Sequence, residues 1–374
     1  MTPLFQRLMR NATELTRRGN LKAATAAIQS ALRGDAGTRP DPEARQAPDT
    51  IDVAAREVAP DAGQTRAAQP PFSQPRPTEP TAPREAPAVP PMGRFIPGNY
   101  AGTGASLDYR LYIPPAAGER PLPLFVMLHG CTQDADDFAA GTAMNELARA
   151  HGFFVLYPQQ SQQSNPQRCW NWFKHSHQAR GRGEPAVLAG MTREIMAAQA
   201  IDPARVYVAG LSAGGAMAAI LGDAYPDLYA AVGVHSGLAT GAAKDLPSAF
   251  GAMKSGPQIV VPATASGIPT IVFHGDADST VHPGNGGHVI AASVHKDAQV
   301  SIEQGVAAGG RRYTRELHRA AGGGPVMAEH WIVHGARHAW SGGSAKGTYT
   351  DPLGPDASAE MVRFFLARAR TAPH

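Results

Sequence analysis

The sequence predicts an α/β fold, a mostly parallel sheet with helices on both faces, preceded by an N-terminal helical hairpin and a disordered linker. Three observations predict it. Beyond about Gly98, short continuous apolar runs alternate with stretches of helical apolar spacing, the pattern left by strands that are covered on both sides. Between Pro40 and Pro91 stand thirteen of the chain's 33 prolines, mixed with Ala, Arg, Glu, Gln and Thr and with few large apolar residues. Leu4, Phe5, Leu8, Met9, then Leu15, Leu21, Ala24, Ile28, Ala31 and Leu32 recur at helical spacing around a Gly19-Asn20 break.

The first element is thus a helical hairpin over residues 1–33. It is basic, with six Lys/Arg (Arg7, Arg10, Arg17, Arg18, Lys22, Arg33) against Glu14, so it carries the whole positive balance of a chain whose net charge is +3. Two helices with one apolar stripe each bury little alone. A basic amphipathic pair on a tether suits a granule, an anionic surface or a protein partner, and the plainer reading is a solvated appendage. Residues 34–94 follow as the Pro-rich disordered linker. Residues 95–374 are long enough to bury one sizeable core, and 43% of the chain is hydrophobic.

Within that domain the patterning predicts strands over 106–113, 122–128 and 153–157, with a helix over 142–151 between the last two. A helix over 186–200, a strand over 205–209, a helix from 213 to about 225 and a strand over 230–235 come next. After an irregular stretch the spacing gives a strand over 270–273, a helix over 287–297, strands over 313–318 and 326–334, and a closing helix over 357–368. The longest apolar stretches, 121–128 and 213–221, are too short to span a bilayer. No basic stripe with interleaved aromatics points to nucleic acid. The N-terminus has arginines where a signal peptide has its apolar run, which places the chain in the cytoplasm and its two cysteines, Cys131 and Cys169, in the reduced state.

The chemistry concentrates where strands end. Gly210-Leu211-Ser212-Ala213-Gly214 follows the strand Arg-Val-Tyr-Val-Ala and opens a helix, the strand-turn-helix setting of a nucleophile elbow. A serine hydroxyl needs a base in contact, itself oriented by a carboxylate. The strand Pro-Thr-Ile-Val-Phe ends in His274-Gly275-Asp276-Ala277-Asp278, which offers Asp278 as orienter and Asp276 as its rival, a turn-capping residue on the bland reading. The last apolar strand leads to His338 on a loop, the candidate base, while His330 and His334 read as strand or edge residues. Acyl transfer also needs amide donors for the developing oxyanion, and Ala213 N–H and Cys131 N–H are placed to supply them. A nucleophilic Cys131 has no general base evident beside it. His175, His177, His282 and His288 lack metal-ligand spacing, so no metal and no organic cofactor is expected. Trp170 and Trp172, on a segment rich in Gln, Asn and Ser, are candidates for an apolar floor under substrate, with burial in the core as the alternative.

Five motifs, His129-Gly130-Cys131-Thr132-Gln133, Cys169-Trp170-Asn171-Trp172, Gly210-Leu211-Ser212-Ala213-Gly214-Gly215, His274-Gly275-x-x-Asp278-x-x-Val281 and His338-Ala339-Trp340, resemble in identity and order the polyhydroxybutyrate (PHB) depolymerase-type esterases of the α/β-hydrolase superfamily. The resemblance covers residues 97–369. It implies an α/β-hydrolase fold, Ser212, Asp278 and His338 as triad, and hydrolysis of short-chain polyhydroxyalkanoate or related esters, the partner being a polyester, an oligoester or a small ester. Feruloyl and acetylxylan esterases look similar over the same motifs. The resemblance further implies that Cys131 and Cys169 pair in a disulfide, as in secreted members, which sets an extracellular location against the cytoplasmic one. Two readings of another kind remain: a non-catalytic surface-binding protein anchored by its hairpin, and a peptidase on the same fold.

Overall fold

The structure, a computed structural model, describes residues 92–102, 105–257 and 267–370. The expected hairpin and the expected linker up to residue 91 lie outside the described residues. Ten strands form one sheet: β1 (Arg94–Gly102), β2 (Ala105–Ile113), β3 (Leu122–Leu128), β4 (Phe154–Pro158), β5 (Ile201–Leu211), β6 (Ala231–His235), β7 (Thr270–Gly275), β8 (Gln299–Val306), β9 (Arg312–Arg319) and β10 (Val326–Val333). Their spatial order is β1-β2-β4-β3-β5-β6-β7-β10-β9-β8. The six central strands, β4 to β10 in that order, run parallel, and an antiparallel pair extends the sheet at each end.

Every residue of β3, β4, β6 and β7 is buried, because both faces of the sheet are covered. Alternation along β3 sends Leu122, Leu124, Val126 and Leu128 to one layer and Phe125 and Met127 to the other. The first layer holds α3 (Gly183–Ala198), α4 (Ala213–Ala224) and α6 (Gly284–Ser293) through Leu188, Met217, Ile220 and Ile290. The second holds α1 (Ala135–Thr142), α2 (Met144–His151) and α7 (Ala357–Leu366), where Phe125 stacks on Phe153 at 4.1 Å and Tyr207 on Phe365 at 5.0 Å. Each such ring contributes roughly 1.5–3 kcal/mol by burial. Among the described residues no helix is long and apolar enough to cross a membrane.

Several elements depart from the sequence expectation. β1 and β8 are the exposed outer strands, with no continuous apolar run to announce them. β1 begins at Arg94, the last residue assigned to the linker. α1 and α5 (Leu246–Ser255) are short, and each depends on an aspartate at its N-cap: Asp134 accepts from Asp137 N–H, and Asp245 and Ser248 bond each other's backbone reciprocally.

Candidate active site

β5 runs straight into Ser212, whose backbone sits at φ 58°, ψ −117°, and α4 starts one residue later. So sharp a reversal needs bare backbone on both sides. A methyl on Gly210 would lie 2.4 Å from the Gly214 carbonyl carbon, and one on Gly214 would lie 2.1 Å from Leu128 O. The two glycines therefore let α4 press against the end of β3, and Ser212 is lifted to the carboxyl edge of the sheet. Its N–H donates to His235 O at 2.8 Å, which locks the strained turn to β6. Besides Ser212, positive φ occurs at the non-glycine residues Thr132, Arg168, Ser236 and Tyr349, all on loops of this edge, and at Ala143. Strain collects around this serine.

Strand register brings the other groups to the same edge. Leu128 pairs with Gly210, Leu211 with His235, His235 with Phe273, and Gly275 with Val333, so the chain leaves β3, β5, β6, β7 and β10 at one level. There His338 Nδ1 donates to Asp278 Oδ2 at 2.6 Å. Asp278 Oδ1 accepts from Thr280 N–H at 2.8 Å and Val281 N–H at 2.9 Å. Burial would raise this carboxyl, but hydrogen bonds from His274 and His338 outweigh it and hold it well below the usual carboxylate range. Asp276, the rival, faces elsewhere: it accepts from His334 Nδ1 at 2.9 Å and from Gly335 N–H at 2.7 Å, bracing the turn that carries His338. An imidazole pinned at Nδ1 by a buried carboxylate presents Nε2 as a base.

The loop after β3 is held from all sides. Gly130 N–H donates to Gln133 Oε1 at 2.9 Å, Thr132 N–H to Gln167 O at 2.7 Å, and Trp170 Nε1 to His129 O at 3.1 Å. Thr132 Oγ1 also meets the Tyr349 hydroxyl at 3.1 Å. Cys131 is joined to Cys169 by a disulfide, which corrects the expectation of two reduced thiols. Among the described residues the Cys131 and Ala213 amides donate to no backbone carbonyl, Ala213 because it stands in the first turn of α4. A substrate-facing floor of Trp170 and Trp172 is also corrected: they are 0% and 5% exposed and pack in the layer of α3 and α4. Trp170 acts on the site through the His129 carbonyl instead. Half-exposed Tyr349, with no sequence motif to mark it, brings an exposed aromatic ring to this loop. Among the described residues no cluster of His, Cys, Asp and Glu could hold a metal ion.

The family model for Esterase PHB depolymerase matches residues 107–317, more than half of the chain. The chain belongs to that family. A poly(3-hydroxyalkanoate) depolymerase C of Paucimonas lemoignei is 32% identical over 244 residues, 62% of this chain and 56% of that protein. A feruloyl esterase B of Thermothelomyces thermophilus is 33% identical over 145 residues, 38% of this chain and 48% of that protein. The chain thus spans about half the length of these two curated relatives. Among solved structures, the acetyl xylan esterase from Aspergillus awamori aligns at TM-score 0.51 and 18% identity, over 65% of this chain and 94% of that one, a likeness of fold. The α/β-hydrolase architecture read from the sequence is the one found.

Two buried histidines support this esterase-family site, and the sequence did not mark either as structural. His235 lies under Ser212, stacked on Trp340 at 5.0 Å, and its Nε2 accepts from Ser341 N–H at 2.9 Å, so burial keeps it neutral, well below its ordinary range. His129 Nε2 accepts from Gln160 N–H at 3.1 Å while Nδ1 bonds Gly130 O at 2.8 Å, and burial lowers its pKa to about 4. The unfolded chain takes up this proton near pH 6.5, the folded one near 4. Between those values the unfolded state binds more protons, so stability falls as the pH drops. His129 alone is expected to remove on the order of 3 kcal/mol by pH 4. Loss of the depressed Asp278 charge acts in a lower window, below about pH 4. Denaturant midpoints at pH 7.5 and 4.5 check this, and equal midpoints reject it.

Proposed function

We propose that this chain is a serine esterase that works through an acyl-enzyme. Ser212 Oγ attacks the ester carbonyl as His338 Nε2 takes its proton. The Cys131 and Ala213 amides receive the oxyanion, and Asp278 stabilises the imidazolium. His338 then protonates the departing alcohol. Water, deprotonated by the same imidazole, attacks the acyl-serine and returns Ser212 with release of the acid. The observation that carries this reading is the buried Asp278–His338 hydrogen bond, 2.6 Å, on the sheet edge that also lifts Ser212 out of β5. No residue in the scheme calls for a cofactor.

The substrate class is an ester of a short hydroxyalkanoic acid, polymeric or oligomeric, which the depolymerase relative at 32% identity favours. Feruloyl or acetyl esters of sugars are the second reading, favoured by the feruloyl esterase at 33%. The Cys131–Cys169 bond supports maturation in an oxidising compartment, hence an extracellular over a cytoplasmic location.

The test is acid release from a matched panel: soluble aryl esters, hydroxybutyrate oligomers and polymer, and feruloyl and acetyl sugar esters, with a peptide amide as control. Turnover of one ester class names the substrate. Turnover of the amide alone, or of nothing, overturns the reading and brings the binding-protein alternative forward.

A further inference from the structure

The chain that carries His338 returns to the oxyanion loop. Past the base it forms β11 (Trp340–Ser341) and, after a loop, β12 (Thr350–Asp351), a short parallel pair that brings the segment between them back to the loop after β3. Backbone groups of that segment are fixed on α1 and on Gln133. Ser344 N–H donates to Gly141 O at 2.8 Å, Thr348 N–H to Asp137 Oδ1 at 2.8 Å, and Thr348 O accepts from Gln133 Nε2 at 3.2 Å. Tyr349 O accepts from Trp340 N–H at 2.7 Å. Tyr349 is thus held from both sides, and it is held in the left-handed region, at φ 52°. Bulky side chains avoid that conformation, and it persists only where the surroundings over-determine it.

What the strained backbone achieves is the placement of one ring. The Tyr349 hydroxyl lies 3.1 Å from Thr132 Oγ1, which lies 2.6 Å from Cys131 O. A carbonyl only accepts, so the single Thr132 hydroxyl hydrogen goes to Cys131 O, and the Tyr349 O–H donates to Thr132. Thr132 is itself left-handed, at φ 68°. Two residues in the same uncommon conformation therefore meet hydroxyl to hydroxyl, beside the residue whose amide is assigned to the oxyanion. The phenol hydrogen is used in that bond, yet Tyr349 remains 47% exposed. A ring that only closed the loop would be expected to bury its faces; this one is anchored at its tip and stands half in solvent. Trp170 and Trp172 are buried, which leaves apolar contact with substrate to another side chain. A tyrosine ring supplies a large, rigid contact area at small conformational cost.

We propose that Tyr349 sets substrate specificity: its ring is an apolar wall beside the oxyanion donors, against which the alkyl unit next to the scissile carbonyl packs. The bond to Thr132 fixes the ring in that place. The proposal rests on the esterase reading and deepens it. It selects esters whose carbonyl is flanked by a compact branched alkyl unit, such as a short 3-hydroxyalkanoate, over an acetyl ester that offers the wall one methyl. The loop of His338 and the loop of Cys131 meet in this one side chain, so the wall keeps its place relative to both the base and the oxyanion donors.

The test measures kcat and KM of the full chain on two methyl esters, of acetate and of a 3-hydroxybutyrate trimer, for wild type, Tyr349→Gly and Tyr349→Phe. Glycine adopts the left-handed backbone freely, so the first variant removes the ring and keeps the turn, which circular dichroism and Tm check. Tyr349→Gly is expected to raise KM for the trimer roughly tenfold and for acetate about twofold, because the trimer has more packing on the ring to lose. Tyr349→Phe keeps the ring without its anchor and is expected to retain most of the preference for the trimer. A residue that only braces the loop treats all esters alike, so an unchanged ratio of the two esters in Tyr349→Gly overturns the proposal, whether both fall or neither does. A phenylalanine variant that loses the preference as fully as the glycine one overturns it too. A wild type that cleaves neither ester sinks the esterase reading itself, whereas one that cleaves both, with variants that leave their ratio unmoved, sinks this proposal alone.

Discussion

Ser212→Ala is expected to lower kcat about 10⁶-fold and Asp278→Asn about 10⁴-fold, while Asp276→Asn stays within about tenfold of wild type. Alanine removes the only atom that can form the acyl bond, and what remains is binding and the oxyanion donors. Asparagine at 278 is nearly isosteric, yet it cannot stay an acceptor on both sides. Asp278 receives Thr280 N–H and Val281 N–H on one oxygen and His338 Nδ1–H on the other, with His274 leaning on that same oxygen. An amide that satisfies the two backbone donors with its carbonyl turns N–H₂ toward His338, and the imidazole must flip its tautomer or lose the bond. Asp276 carries its bonds to His334 and Gly335 in a half-exposed turn, so its loss loosens the loop of His338 without touching the base. The measurement is kcat and KM on one soluble ester for all three variants, with circular dichroism to confirm folding. Equal losses in Asp276→Asn and Asp278→Asn would exchange or merge their roles, and an active Ser212→Ala removes the nucleophile.

What was legible in the sequence follows from how local each feature is. The elbow is a strand, a turn and a helix within about fifteen residues, so Gly210 and Gly214 around Ser212 announce it. The loops of Asp278 and His338 could be read because each follows a buried apolar strand, and parallel strands deliver their carboxyl ends to one edge. The sequence put Asp278 ahead of Asp276 as orienter, and the turn geometry gives the two different partners, His338 for Asp278 and His334 with Gly335 for Asp276. Pairing register is not written in any single segment. His235 became the support of Ser212, and His274 the neighbour of His330, only when β6, β7 and β10 were aligned. Trp170 and Trp172 sit in a polar stretch that reads as surface, yet the disulfide and the loop after β3 fold that stretch inward. β1 and β8 were missed because both faces of these outer strands are largely open to solvent, which leaves them without a continuous apolar run.

Opening the Cys131–Cys169 bond tests whether that infolded stretch is held by chain entropy or by its own hydrogen bonds. The bridge closes a segment with a sequence separation of 38 residues, and for loops of this length the chain-entropy model gives about 3–4 kcal/mol. Cys131→Ser with Cys169→Ser is therefore expected to lose that much stability, read as a lower denaturant midpoint and a Tm about 10 °C lower, at roughly 2–4 °C per kcal/mol. Dithiothreitol should reproduce the shift in wild type and leave the double variant unmoved. Turnover is expected to fall less, within about tenfold, although loss of one oxyanion donor costs on the order of 10²–10³. The reason lies in the bonds that survive reduction: Gly130 N–H to Gln133, Thr132 N–H to Gln167 and Trp170 Nε1 to His129 O fix the residues on both sides of the Cys131 amide. A thousandfold loss of kcat with little change in midpoint would reverse the argument, making the bridge the positioner of the amide rather than a brace on the unfolded chain. An unchanged midpoint under reduction would mean that the two thiols are not joined in the folded protein, and the case for an oxidising compartment would go with it.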